Sequence, residues 1–108
     1  MKAQFKNLDS IERLNEVFDE SNAKPILIFK HSLTCPISAD LYQEIKSVDG
    51  TVNLIVVQTG RDISNEVADK TKIRHESPQA IILKDGKPVY HASHYNITAS
   101  EINEQLKN

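Results

Sequence analysis

Residues 26–38 read ILIFKHSLTCPIS, and this stretch decides the fold. It begins with the uninterrupted apolar run Ile26–Phe29, which is typical of a strand buried on both faces of a sheet. A polar loop, residues 31–34, leads to Cys35 and Pro36. Pro36 fits the first position of a helix, where its missing N–H is no loss and its φ angle is already suitable. The stretch therefore predicts a buried strand, a short loop and a helix that begins directly after Cys35.

Apolar residues at helical spacing indicate the helices. The helix that begins at Pro36 carries an apolar stripe at positions 37, 41, 45 and 48. An earlier helix is predicted to start at Asp9, with Glu12 three residues later as a capping-box pair, and to end near residue 21. Two shorter helices complete the set, over residues 62–70 and from Thr98 or Ser100 to Leu106.

Three further strands are predicted from the remaining apolar runs, over residues 52–57, 79–83 and 87–93. Asp85-Gly86 is a two-residue hairpin turn between the last two, and Pro88 marks the final strand as an edge strand. The first two strands are joined by a helix, which suits a parallel crossover. The predicted fold is α/β, a mixed four-stranded sheet with helices on both faces, in one domain over residues 1–108.

The composition is that of an ordinary globular protein. Of the 108 residues, 39% are hydrophobic and 26% are charged, and the net charge is −2. No basic block is present, which excludes a typical nucleic-acid-binding surface. No apolar run approaches the roughly 18 residues that a membrane span needs. The first residues contain no apolar stretch of signal-peptide length, and one cysteine cannot form an internal disulfide, so we expect the protein in the cytosol. We also expect it to be a monomer.

Cys35 is the only cysteine in the chain. A lone cysteine without further context is most often a small buried apolar residue. At the N-cap of a helix, however, its sulfur would face the unpaired N–H groups of Ile37 and Ser38 at the positive end of the helix dipole. Both effects favour the thiolate, so we expect a pKa below the free value of about 8.5. Because the thiolate is the species that attacks disulfides, Cys35 is the predicted nucleophile.

Ser38 follows Cys35 by three residues, at the position where a dithiol enzyme carries its resolving cysteine. A hydroxyl cannot form a disulfide, so a mixed disulfide on Cys35 would have to wait for an external thiol. Ser38 can equally be a first-turn residue that makes local hydrogen bonds. The two interpretations do not exclude each other.

Two groups of residues resemble known families. Ile73-Arg74-x-x-x-Pro78, the apolar strand after it, and Lys84-Asp85-Gly86-Lys87 resemble the C-terminal half of thioredoxins. The motif Thr34-Cys35-Pro36-Ile37-Ser38 resembles the active site of the monothiol bacilliredoxins, the YtxJ-like family of bacteria that use bacillithiol instead of glutathione. The chain length, the order of elements and the spacing from Cys35 to Pro78 agree, so the resemblance covers nearly the whole chain.

The resemblance implies a thioredoxin-like fold and a thiol-disulfide oxidoreductase that reduces mixed disulfides between bacillithiol and protein cysteines. Cys35 would attack the bacillithiol sulfur, free the client thiol and become bacillithiolated, until a second bacillithiol or another redox partner regenerates it. Bacillithiol is then a co-substrate, bacillithiolated proteins are the partners, and we expect no tightly bound cofactor. The residues expected to contact the substrate are Thr34, Pro36, Ser38, Ser77 and Pro78.

The segment of residues 72–78 precedes the third predicted strand. A proline at a strand entrance can be simply tolerated there, and most X–Pro bonds are trans. From the resemblance we expect a cis Ser77–Pro78 bond, which would turn the Ser77 backbone toward Cys35 and offer its N–H and C=O to an extended substrate. Lys72 and Arg74 could bind the malate carboxylates of bacillithiol, or they could be solvated surface charges.

The four histidines show no spacing typical of metal ligands, and no CxxC pair accompanies them, so we expect no metal site. His91 and His94 flank a strand end, where we expect them to face solvent. His31 and His75 could lie near Cys35 and lower its pKa when protonated, or they could be polar residues at loop edges.

Two other functions stay open on the sequence. An iron–sulfur carrier similar to the monothiol glutaredoxins would ligate a cluster through one cysteine and a bound small thiol. Those proteins carry a Cys-Gly-Phe-Ser pattern, whereas Pro36 and Ile37 fill its middle positions here, and a rigid Pro36 should crowd a bridging cluster. The other alternative is a non-catalytic binding module of thioredoxin fold, in which Cys35 is inert and its pKa is not lowered.

Overall fold

A computed structural model of the chain describes residues 3–107. Over these residues the chain forms five strands, four α-helices and one 3₁₀ turn. In chain order they are β1 (Gln4–Asn7), α1 (Ile11–Glu20), β2 (Ile26–His31), α2 (Pro36–Ile45), β3 (Thr51–Val56), α3 (Arg61–Thr71), β4 (Gln79–Lys84), β5 (Lys87–Ser93), the 3₁₀ turn (His94–Asn96) and α4 (Ala99–Leu106).

The strands form one mixed sheet in the order β1-β3-β2-β4-β5. β1 and β2 both pair in parallel with β3, while β4 runs antiparallel to β2 and to β5. The predicted number of four strands is wrong, because β1 adds a fifth strand at one edge of the sheet. β1 is short, mostly polar and mostly exposed, so no apolar pattern in the sequence marks it as a strand. Its extended form comes from pairing with β3, where Gln4 lies opposite Thr51.

β2 is buried on both faces of the sheet, as its apolar run predicts. Leu27 and Phe29 pack in one core cluster with apolar residues of α2 and α4. Ile26 and Ile28 face the other way and pack with apolar residues of α1 and α3. Neighbouring strand residues point to opposite faces, so two helices cover each side of the sheet. This arrangement confirms the predicted α/β fold with helices on both faces.

Local signals set most of the element ends. The helix α1 begins one residue later than predicted, because Ser10 rather than Asp9 is its N-cap and accepts a hydrogen bond from the Arg13 N–H at 3.0 Å. Thr98 caps α4, which decides between the two predicted starts. Asp85-Gly86 forms the predicted hairpin turn, with φ angles of 55° and 74°, as a type I′ turn requires.

The topology brings three segments to one edge of the sheet. β2 and β3 are parallel and end together, and the Val57 N–H donates to the His31 C=O at 2.9 Å just beyond their pairing. β4 runs the other way and begins at this edge, where Gln79 lies opposite Lys30. The loop that carries Cys35, the turn after β3 and the segment that ends at Pro78 therefore meet at the same edge.

Candidate active site

Cys35 lies between the loop after β2 and the first turn of α2. It is the N-cap of α2, with an extended backbone (φ −97°, ψ 120°), and Pro36 is the first helical residue. This confirms the start of the helix that the Cys35-Pro36 pair predicts. The thiol is half-buried, so a substrate can reach it from solvent.

The first turn of α2 lowers the pKa of the Cys35 thiol. The backbone N–H of Ser38 lowers it most, partial burial opposes this effect, and the Ser38 hydroxyl and the Ile37 N–H lower it further. The sulfur forms no side-chain capping hydrogen bond, so these groups act on it as nearby dipoles that favour the charged form. The two backbone amides that the sequence analysis expected to favour the thiolate, those of Ile37 and Ser38, both lower the pKa of Cys35.

Ser38 is fully buried, and its hydroxyl has a structural task. The oxygen accepts a hydrogen bond from the Ser32 N–H at 3.2 Å. Ser38 thus connects α2 to the loop that precedes Cys35. Because this residue is a serine, the first turn of α2 contains no second thiol. This hydrogen bond confirms the interpretation of Ser38 as a first-turn residue that bonds locally, while its part in a reaction that needs an external thiol stays a prediction.

Thr34 and the residues before it are held by a side chain from the turn that follows β3. The amide of Gln58 donates from Nε2 to the Thr34 hydroxyl at 3.3 Å and to the Ser32 hydroxyl at 2.9 Å. Its Oε1 accepts from the Leu33 N–H at 3.0 Å. Sequence reasoning missed Gln58, because nothing in its immediate neighbourhood marks a residue whose partners are about 25 positions away.

Ser77 and Pro78 occupy the neighbouring loop at the same sheet edge. The Ser77–Pro78 peptide bond is cis, which confirms the expectation. Pro78 is buried, and its C=O accepts a hydrogen bond from the His94 N–H at 3.0 Å. The structure thus joins Thr34, Cys35 and Ser38 at one junction and places Ser77 and Pro78 on the adjacent segment.

A buried lysine anchors the segment before Pro78. Lys30, on β2, has no exposed surface, and its Nζ lies 3.2 Å from the Ser64 C=O and 3.1 Å from His75 Nδ1. Burial lowers the pKa of Lys30 from 10.5 to about 8. An ammonium can only donate, so His75 accepts through Nδ1 and carries its proton on Nε2. The predicted strand stopped at Phe29, so Lys30 was not recognised as a core position.

Neither His31 nor His75 is suited to stabilise the Cys35 thiolate as a cation. Burial lowers the pKa of His31, which packs against the Tyr42 ring at a centroid distance of 5.0 Å. Burial and then the charge of Lys30 lower the pKa of His75. Both imidazoles are therefore disfavoured in the charged form. His91 is exposed as expected, whereas His94 is half-buried and has a positive φ of 55°.

Tyr95 lies on the 3₁₀ turn, which contacts α2. Its hydroxyl donates to Asp40 Oδ2, on α2, at 2.7 Å. This hydrogen bond is the main cause that raises the pKa of Tyr95, and the charge of Cys35 contributes to the same shift. The phenol therefore lies within electrostatic reach of the sulfur. The sequence contained no signal for this contact, which spans 55 residues.

A groove of about 680 Å³ opens next to the 72–78 segment and along β5. Its charged lining residues are Lys72, Arg74, Glu76 and Glu101, His91 also lines it, and it extends to Asn96 at the end of the 3₁₀ turn. Lys72 and Arg74 are both exposed. The groove therefore presents cationic and anionic groups together.

Two kinds of feature are absent from the described part of the chain. No group of three or more His, Cys, Asp or Glu side chains in residues 3–107 could hold a metal ion. Within the same range no helix has the length and apolar character needed to cross a membrane.

The fold is shared with many solved structures. A candidate oxidoreductase with a thioredoxin fold superposes with a TM-score of 0.83 and 34% sequence identity, over 96% of this chain and 94% of that one. Thioredoxin from Trypanosoma brucei brucei gives a TM-score of 0.75 at 12% identity, over 96% of this chain and 88% of that one. Thioredoxin NaTrxh from Nicotiana alata gives 0.71 at 18% identity, over 99% and 93%. The two thioredoxins show the fold alone.

The family comparison is more specific than the fold. Residues 6–102 match the family described as monothiol bacilliredoxin BrxC, a range that includes the Cys35 loop, the cis-proline segment and the groove. The lone cysteine and Ser38 agree with a monothiol protein. The thioredoxin-like fold and the family together support a thiol redox function. The chain belongs to the monothiol bacilliredoxin family.

Proposed function

We propose that the protein reduces mixed disulfides between bacillithiol and protein cysteines, with Cys35 as the nucleophile. The observation that carries the proposal is the thiol at the N-cap of α2, whose pKa the first turn lowers, in a chain without a second cysteine. A lowered pKa increases the thiolate fraction at neutral pH. An inert binding module would have no need of this arrangement.

The reaction proceeds by two thiol–disulfide exchanges. The Cys35 thiolate attacks the bacillithiol sulfur, the disulfide between bacillithiol and the client breaks, and the client cysteine leaves as a thiolate that takes a proton from water. A second bacillithiol then attacks the adduct, which releases bacillithiol disulfide and restores Cys35. The second bacillithiol is oxidised as the client cysteine is reduced, so the electrons balance.

Residues around Cys35 have distinct roles in this proposal. Pro36 starts the helix that activates the thiol, and Thr34 is exposed beside it. Ser38 keeps the resolving position free of sulfur. The backbone of Ser77, next to the cis Pro78, offers an N–H and a C=O to an extended client segment.

The groove beside the cis-proline segment supports bacillithiol as the small thiol. Bacillithiol carries malate carboxylates, which Lys72 and Arg74 would attract. Glu76 is ionised more readily than an ordinary glutamate, because a hydrogen bond with the Ser93 side chain and the charge of Arg74 lower its pKa. It would attract an amine on the same ligand. We further propose that the protein acts as a monomer in the cytosol, where clients and bacillithiol are present.

Intact-mass spectrometry tests the proposal directly. After incubation with a bacillithiolated client, the protein should gain the mass of one bacillithiol, and Cys35→Ala should gain none. Ser38→Cys is the matched variant, because a thiol at the resolving position can displace bacillithiol and leave an internal disulfide, seen as the loss of two hydrogens. No adduct on the native protein would contradict the reaction. Equal transfer from a glutathionylated client would contradict the choice of bacillithiol.

A further inference from the structure

Gln58 contacts each of the three residues that lead into Cys35. It follows β3 in the turn at the active edge of the sheet, and its side chain is exposed. One amide group accepts from the Leu33 N–H and donates to the hydroxyls of Ser32 and Thr34, at 3.0, 2.9 and 3.3 Å. Its donor and acceptor sides are both used, so the orientation of the amide is fixed by its partners.

Few other contacts fix the position of the loop of residues 32–34. Leu33 is 65% exposed, so burial of an apolar side chain does not hold the loop. Its other side-chain anchor is Ser38, which accepts from the Ser32 N–H. The loop is thus clamped between α2 on one side and the end of β3 on the other.

We propose that Gln58 is a positioning residue, which holds the loop so that the Cys35 sulfur stays against the first turn of α2. The groups that favour the thiolate belong to Ile37 and Ser38, and their effect depends on where the loop places the sulfur. When the loop is released, the sulfur samples positions away from these dipoles, and Ser38 loses its fixed partner. This inference rests on the proposed function only in requiring that Cys35 reacts as a thiolate.

The test compares Gln58→Met with Thr59→Val. Methionine keeps the length of the side chain and removes the amide. Thr59 is the exposed neighbour whose hydroxyl donates only within its own turn, to the Val56 C=O at 3.4 Å. The rate of Cys35 alkylation is measured from pH 5 to pH 10, together with the melting temperature of each protein.

Gln58→Met should move the midpoint of the pH profile to higher pH and slow alkylation at pH 7 by about three- to ten-fold. The rate at high pH, where every thiol is ionised, should stay the same. Thr59→Val should leave the profile unchanged. An unchanged profile for Gln58→Met would overturn the inference, and so would an equal shift in both variants.

The failure of this inference can be told apart from failure of the proposed function. Alkylation uses no bacillithiol, so a shifted profile together with no bacillithiol adduct would retain the role of Gln58 and reject the substrate. An adduct that forms at the native rate in Gln58→Met, with an unshifted profile, would retain the function and reject the role of Gln58.

Discussion

The two loops that form the candidate site are held by different means. The loop before Cys35 is held by neutral groups, the hydroxyl of Ser38 and the amide of Gln58. The segment before Pro78 is held from inside the sheet, where the buried amine of Lys30 contacts His75. The Gln79 amide adds a second buried anchor, since its Nε2 donates to the Arg74 C=O at 3.0 Å.

This difference separates the pH dependence of reactivity from the pH dependence of stability. The anchors of the loop before Cys35 are neutral groups that do not ionise, so a change in alkylation rate with pH reports on Cys35 itself. Under the cis-proline segment, Lys30 carries a charge whose burial opposes folding. The reactive loop should therefore respond to substitutions of neutral residues, and the other segment to the protonation of Lys30.

The largest expected effect concerns Lys30. Its pKa is 10.5 in the unfolded chain and about 8 in the folded protein, so between these values the unfolded state binds more protons and stability rises with pH. Relative to Lys30→Met, the free energy of unfolding of the native protein should rise by roughly 3 kcal/mol between pH 8 and 10.5. The neutral amine keeps two N–H groups for its two acceptors, so the contacts survive. Urea unfolding at several pH values measures the difference.

Lys87→Met is the matched control for this prediction, because Lys87 is exposed at the start of β5 and its charge stays in water. The pH dependence of its stability should follow that of the native protein. If Lys30→Met followed the native protein equally closely, Lys30 would titrate alike in the folded and unfolded states, and the contrast between the two loops would be lost.

The parts of the fold that were predictable are those with strong local signals. The buried run Ile26–Phe29, the Asp85-Gly86 turn and the helix start at Pro36 each follow from adjacent residues, and the structure contains all three. β1 could not be predicted in this way. Its sequence is mostly polar, and it is extended because β3 offers an unpaired edge, which is a property of the assembled sheet.

The same division applies to the candidate site. Cys35 and Ser38 could be identified because the chemistry of a helix N-terminus depends on neighbouring residues. Lys30, Gln58 and Tyr95 contact partners that are 24 to 55 positions away, and such contacts depend on which segments the sheet brings together. The cis state of Pro78 was expected from the family resemblance, since most X–Pro bonds are trans.

A smaller effect is expected from Arg74, which tests whether the groove of the cis-proline segment selects the small thiol. Arg74→Gln should raise the KM for a bacillithiolated client about two- to five-fold, the value of an exposed ion pair. The KM for the same client carrying 2-mercaptoethanol, which has no carboxylate, should not change. Lys87→Gln removes an equal charge outside the groove and should affect neither. Equal changes with both adducts would indicate a general charge effect and remove the support that the groove lends to bacillithiol.

The smallest effect is expected from Tyr95, on the turn that connects the cis-proline segment to α2. Its turn meets Pro78 through the His94 N–H, and its hydroxyl reaches Asp40 on α2. Tyr95→Phe should lower the free energy of unfolding by at most about 1 kcal/mol, and Asp40→Asn combined with it should add less than its own separate effect. The Cys35 alkylation rate should change less than about two-fold. The raised pKa of Tyr95 keeps its phenol neutral at pH 7, so removing the hydroxyl removes no charge near the thiolate. A loss of alkylation rate as large as that expected for Gln58→Met would mean that both loops position the sulfur, and that the separation between a reactive loop and a supporting segment does not hold.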